Sequence, residues 1–128
     1  MGEGIDKLAT TDMFDHKESV DQEARDHKES VGQEALRARR KMLGDLHPDT
    51  LILIDNMGQL LKKMGKLKEA KSLYEEALKG KRETLGDHHP NTLISIYNMG
   101  SLLEKQGMLA EAIPLFTEEL EGCVFLHG

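Results

Sequence analysis

The chain has 128 residues, 31% of them charged, and a formal net charge of −6. This length suits one domain that can bury a core, and the acidic balance argues against the basic surface of a nucleic-acid-binding protein. No apolar run approaches the roughly 20 residues of a membrane span, and the N-terminus lacks the apolar core of a signal peptide. We therefore expect a cytoplasmic protein whose partner is neither a nucleic acid nor a membrane.

Residues 1–12 mix Gly, Asp, Lys and Thr without periodicity, so we expect a flexible N-terminus there. Residues 13–42 then form a helical extension that ends in half a repeat. Within it DHKESVDQEAR recurs as DHKESVGQEAL, an 11-residue period that is close to three helical turns and predicts a helix from about Phe14 to Met42. The helix carries a thin apolar stripe: Met13, Val20, Ala24, Val31, Ala35 and Met42. Whether it turns back or runs straight stays open, and Gly32 is the expected bend.

The longest repeat in the chain has a period of 42 residues, because the stretch 43–80 is written again at 85–122. A fixed period of this size is typical of units that bury their apolar face only by stacking on one another. Residues 43–84 and 85–128 are the two full repeats. With the half-repeat before them, the count is about two and a half.

Each full repeat predicts two antiparallel helices. Pro48 and Pro90 end the preceding helix, and the polar residues that can cap the next helix are Asp49, Thr50, Asn91 and Thr92. Apolar spacings of three and four predict first helices at 49–63 and 91–105, and glycines after them predict short turns. Gly58 and Gly100 fall inside these helices, where we expect them to allow close approach of the second helix. The predicted fold is all-α, a right-handed stack of helical hairpins.

These residues resemble a tetratricopeptide repeat, in the 42-residue variety of kinesin-light-chain-like proteins. The resemblance covers residues 43–122, with a partial match from Ser30, and includes the opening LGDxHPxTL in both copies. Gly58 and Gly100 take the small position 8 of the family pattern, and Tyr74 and Phe116 take the large position 24. The resemblance implies a TPR-type α-α superhelix that acts as a protein-binding scaffold and not as an enzyme. The pattern is broken where Glu119 replaces a small residue.

In this family the first helices of the pairs line a concave groove that binds peptides. Carried over by position, the groove set is Ile52, Asp55, Asn56, Gln59, Lys62, Lys63, Ile94, Tyr97, Asn98, Ser101, Glu104 and Lys105. Asn56 and Asn98 could each clamp a peptide backbone, because an amide both donates and accepts hydrogen bonds; they could equally bond to a neighbouring helix. The lysines could hold a carboxylate or simply be solvated. Because Asp55 and Glu104 sit among them, we expect a mixed groove and not a strong carboxylate clamp.

The sequence gives little support for catalysis, a cofactor or a metal. His88 and His89 are adjacent and would point apart, and no Cys or third His stands at ligand spacing. His47 and His89 recur with the turn between repeats, which favours packing or capping. The single Cys123 can form no internal disulfide, in agreement with a reducing compartment.

Self-association is the alternative to peptide binding. An array this short is marginal unless its ends are covered. The tail Val124, Phe125 and Leu126 is apolar where the first repeat has a polar linker. End stacking, or exchange of the N-terminal helix between two chains, would cover such surfaces and make a homodimer or larger homo-oligomer.

Overall fold

The computed structural model describes the backbone of residues 2–127 and the side chains of residues 20–127. Within that range the chain forms five α-helices and no strand: α1 Gly2–Leu43, α2 Pro48–Lys63, α3 Leu67–Leu85, α4 Pro90–Lys105 and α5 Leu109–His127. Each helix packs against the next one in the chain. The helices α2 and α3 form one hairpin and α4 and α5 the second, which confirms the predicted all-α stack.

The first helix starts earlier in the chain than predicted. It begins at Gly2, upstream of the predicted start near Phe14, and is unbroken to Leu43. The three prolines of the chain all lie beyond it, so none interrupts its backbone hydrogen bonds. The backbone is helical from Gly2, and the flexibility expected of residues 1–12 stays a prediction. The side chain of Met13 in the predicted stripe lies outside the described residues.

Gly32 marks a close approach between helices. A Cβ atom built on Gly32 would lie 2.2 Å from the Met57 sulfur of α2. Leu36, one turn further along, packs in a buried cluster with Leu51 and Ile54 of α2. The second half of α1 thus packs on α2, while the described side chains from Val20 to Lys28 are exposed.

Histidine side chains cap the first helix of each hairpin. His47 Nδ1 accepts a hydrogen bond from the Asp49 backbone N–H, and His89 Nδ1 accepts one from Asn91, each at 3.1 Å. The prolines that follow these histidines occupy the first helical turn, where a missing N–H costs little. The sequence analysis named the polar residues after the prolines as caps, and in the structure the histidines before the prolines cap the helices. Capping was one of the two roles predicted for these histidines.

We expect His47→Ala to lower the free energy of unfolding by about 1 kcal/mol, because it leaves a first-turn N–H without its acceptor. His47→Asn is the matched control, since asparagine is a preferred capping residue and should retain most of the stability. Urea unfolding followed by circular dichroism measures both variants. Equal losses in the two variants would mean that the imidazole stabilises the turn by packing and not by capping.

Buried apolar clusters join the helices of each hairpin and the hairpins to one another. The largest cluster brings Leu61, Tyr74, Met99 and Leu103 together, so it includes residues of both hairpins. A second cluster joins Leu78 of α3 to α4. Because each cluster spans successive helices, the stack forms one continuous core.

Ion pairs connect the second helices of successive repeats. Arg40 of α1 pairs with Glu76 of α3, and Arg82 of α3 pairs with Glu118 of α5. Each guanidinium uses two nitrogens on the two oxygens of its carboxylate, the geometry in which an arginine pair is strongest. These pairs repeat with the 42-residue period, and they hold α1, α3 and α5 at a regular spacing.

Candidate peptide-binding groove

The outer faces of α2 and α4 are exposed, as expected for helices that line a groove. Ile52, Ile94 and Tyr97 are each more than half exposed, at 52%, 56% and 53%. Between the two helices lies a depression of about 250 Å³, which we call the α2/α4 depression. Its lining residues are Gln59, Lys62, Lys63, Tyr74, Asn98 and Lys105. All except Tyr74 belong to the groove set predicted from the sequence.

Three lysines surround this depression. Lys62 Nζ lies 3.3 Å from Ser101 Oγ, within hydrogen-bond distance, so its side chain crosses from α2 to α4. None of Lys62, Lys63 and Lys105 forms an ion pair with a described side chain. Their ammonium groups can therefore take up the carboxylate of a ligand without first breaking an ion pair.

The prediction that Asp55 faces the groove is wrong. Its side chain is buried and pairs with Lys81 of α3, whose ammonium also donates to Ser95 Oγ at 2.8 Å. The cause is Lys81 of α3. Its ammonium group lies between α2 and α4, close enough to the Asp55 carboxylate to form an ion pair with it. Glu104 is exposed but does not line the depression. The two acids expected to neutralise the lysines are thus absent from it.

Tyr74 forms the floor of the depression and was missed in the groove set, although its position 24 in the repeat marked it as a large core residue. Its ring is 2% exposed and packs on Gly58. Burial raises the pKa of the Tyr74 phenol to about 12, and the Asp55 carboxylate adds to this effect. The phenol is protonated at neutral pH, as a phenol with the ordinary pKa of about 10 also is.

The two asparagines singled out in the sequence line different surfaces. Asn98 lines the α2/α4 depression, whereas Asn56 lines a larger depression of about 470 Å³ between α1 and α2, the α1/α2 groove. Gln59 and Lys63 lie on the ridge between them and line both. The structure therefore divides the α2 part of the predicted groove set between two adjoining concave surfaces.

The remaining predicted groove residues lie around these surfaces. Ile52 lines a separate depression near the start of α4. Tyr97 packs against the ring of Phe116, with the ring centroids 5.6 Å apart. Ile94 is exposed, and Ser101 meets Lys62 as described.

The apolar tail is the end of helix α5. Val124, Phe125 and Leu126 are exposed at 60%, 67% and 41%, and the Phe125 ring stacks on His88 with 4.1 Å between ring centroids. The self-association predicted for this tail stays a prediction.

Among the described residues, no group of three or more His, Cys, Asp or Glu side chains could hold a metal ion. No described helix is both long and apolar enough to cross a membrane.

The chain is a stack of helical hairpins with a depression lined mainly by polar residues, and this arrangement places it in the class of helical-repeat scaffolds. The model of the family described as tetratricopeptide repeat matches residues 22–83 and 53–123. The chain belongs to the tetratricopeptide repeat family, which confirms the predicted resemblance. Proteins of this family mediate protein interactions, so the chain is in general terms an interaction scaffold.

The crystal structure of BtubC (BKLC) from P. vanneervenii has the same fold, with a TM-score of 0.72 at 17% sequence identity. The similarity covers 77% of this chain and 39% of that one, so the chain spans less than half the length of BtubC. A comparison with curated proteins gives no match.

Proposed function

We propose that this protein is a non-catalytic scaffold that binds an extended acidic peptide segment of a protein partner in the α2/α4 depression. The observation that carries the proposal is the convergence of Lys62, Lys63 and Lys105 on one depression, with Asp55 buried away from it. Lysine ammonium groups attract carboxylates over several ångströms and donate charge-assisted hydrogen bonds to them. An acidic ligand is thus favoured over a neutral or basic one.

Polar groups beside the lysines suit a peptide backbone. Asn98 and Gln59 each offer an amide donor and acceptor on the wall of the depression, and the Tyr74 ring provides an apolar floor. A pocket with a few placed polar groups over an apolar floor is typical of ligand sites. The exposed Tyr97 directly precedes Asn98 in α4 and can extend the contact.

We expect Lys62→Ala with Lys105→Ala to weaken binding of an acidic peptide about tenfold, which corresponds to about 1.4 kcal/mol. Fluorescence anisotropy with labelled acidic, neutral and basic peptides of equal length measures the effect. Salt should weaken the acidic peptide most, because the attraction is between partly exposed charges. Lys41→Ala with Lys79→Ala is the matched control, since both lysines are exposed and lie outside the depression.

Equal losses in the two double variants would show a general charge effect and remove the α2/α4 depression as the binding site. A preference for neutral peptides would contradict the acidic ligand while leaving a groove function intact. Replacing Asn98 by Ala separates these cases further, because it removes the backbone clamp without changing charge.

We also propose that the protein acts in the cytoplasm, supported by its one cysteine.

A further inference from the structure

The α1/α2 groove lies where the first helix of the incomplete N-terminal repeat would pack. Lys28, Val31 and Ala35 on its α1 side stand 42 residues before Ala70, Leu73 and Ala77 of α3. In the next repeat that same region of α3 packs against α2. By the repeat, a helix running antiparallel to α1 belongs in this groove, and none of the described helices lies there.

The groove has an apolar floor and a basic rim. The floor includes Leu53, Met57 and Leu60 of α2 together with Val31, which is 52% exposed. Lys28 and Lys63 stand on the rim, and the groove continues toward Ala24 and Arg25 in an adjoining depression. An amphipathic helix with acidic flanks complements such a surface.

We propose that the N-terminal half of α1 from a second copy of the chain occupies this groove, in a symmetric dimer with antiparallel α1 helices. The 42 residues of α1 extend about 63 Å, against about 24 Å for the 16 residues of α2, so the N-terminal half projects beyond the hairpins. A twofold axis across α1 near residue 22 sets the two copies antiparallel. The projecting half of each copy then has the polarity that the repeat requires in the groove.

The apolar stripe of α1 matches itself in this arrangement. By sequence position, an axis near residue 22 sets Met13 opposite Val31 of the other copy and Val20 opposite Ala24. The described members of the stripe, Val20 and Val31, are 46% and 52% exposed in the single chain. Pairing the two helices therefore covers apolar surface that the single chain leaves in water.

The two halves of α1 also carry net charges of opposite sign, on either side of a central stretch that holds Asp21 and Glu23. Residues 2–19 carry the acids Glu3, Asp6, Asp12, Asp15 and Glu18 against Lys7 and Lys17. Residues 24–43 carry the bases Arg25, Lys28, Arg37, Arg39, Arg40 and Lys41 against Asp26, Glu29 and Glu34. Antiparallel pairing brings the acidic half as a whole beside the basic half. Within this register Glu18 falls opposite Asp26 and Asp15 opposite Glu29, so the attraction is between the net charges of the halves and not between facing residues. A parallel pairing would instead set like charges side by side.

The dimer would also complete the concave face. Asn56, Gln59 and Lys63 would lie between the helix of the second copy and the α2/α4 depression. The second copy would thus supply one wall of the surface that leads to the depression. This dimer does not depend on peptide binding, so either can fail alone.

Light scattering across a concentration series tests the dimer with Val31→Glu. A dimer of the 14.4 kDa chain is expected for the natural sequence, and Val31→Glu should raise its dissociation constant at least tenfold. Val31 is exposed, so the variant should keep the helical circular dichroism of the natural chain. Val124→Glu is the matched control, an exposed valine in the apolar tail of α5, and should leave the dimer unchanged.

Disulfide capture tests the antiparallel register without relying on a loss of association. In a Cys123→Ser background, Val20→Cys and Ala24→Cys chains are mixed and oxidised, and the mixed disulfide should form in preference to either self-pair. Monomers at every concentration, dissociation by Val124→Glu in place of Val31→Glu, or preferential self-pairing of Val20→Cys would each overturn the proposal.

Discussion

Lys81→Met is expected to lower the free energy of unfolding by about 3–5 kcal/mol, because it leaves the buried Asp55 carboxylate without its cation. Both side chains are only 11% exposed, and the pair lies where α2, α3 and α4 meet. Asp55 already has one buried oxygen, Oδ1, without a hydrogen-bond partner, so losing Lys81 leaves only the weak contact to Ser95 at 3.4 Å. Few single changes in a small domain cost more.

Urea unfolding of Lys81→Met, Asp55→Leu and the double variant separates the charge effect from packing. The double variant should be far more stable than Lys81→Met, since replacing both members of a buried pair by apolar side chains is often neutral. A loss equal in both the single and double variants would mean that Lys81 stabilises the fold by packing alone.

The architecture was predictable because the residues that define each repeat determine helix ends and buried faces within a short stretch of sequence. Prolines and glycines place the ends of α2 and α4, and the spacing of apolar residues places the faces that become buried. A 42-residue shift then repeats each local result. Such signals need no knowledge of contacts between distant parts of the chain, so the hairpins and their order agree with the structure.

Asp55 shows where prediction by position stops. Its equivalent in the next repeat, Tyr97, is 53% exposed, whereas Asp55 is 8% exposed. The two positions differ because Lys81 stands beside Asp55, and the equivalent of Lys81 in the next repeat is Cys123. An ion pair between residues 26 positions apart depends on how two helices pack, which the repeat pattern does not specify.

The long N-terminal helix was uncertain for the same reason. A glycine within a helical pattern is compatible with a bend, but its effect depends on what approaches it. Gly32 meets Met57 of α2, a contact between residues of different repeats. The sequence grouped the three lysines of the α2/α4 depression in one groove set but placed Asp55 among them. Its burial beside Lys81 depends on how α2, α3 and α4 pack.

Gly58→Ala is expected to lower the free energy of unfolding by about 1–3 kcal/mol, although alanine is the better helix former by about 1 kcal/mol. A Cβ atom on Gly58 would lie 2.7 and 2.8 Å from two carbons of the Tyr74 ring. That ring is 2% exposed and packed among Leu61, Met99 and Leu103, so it has little room to move. Overpacking in the core should therefore outweigh the gain in helix propensity.

Gly100→Ala provides a graded comparison for Gly58→Ala. Its added Cβ would meet the Phe116 ring at 2.9 Å, but Phe116 is only partly buried and can shift, so the loss should be smaller. Tyr74→Leu combined with Gly58→Ala should cost less than the two single changes added together, because leucine vacates the space that the new methyl group needs. Thermal and urea unfolding of the four variants measure these terms. If Gly58→Ala stabilised the protein, the close approach of α2 to α3 at Gly58 would not require a glycine.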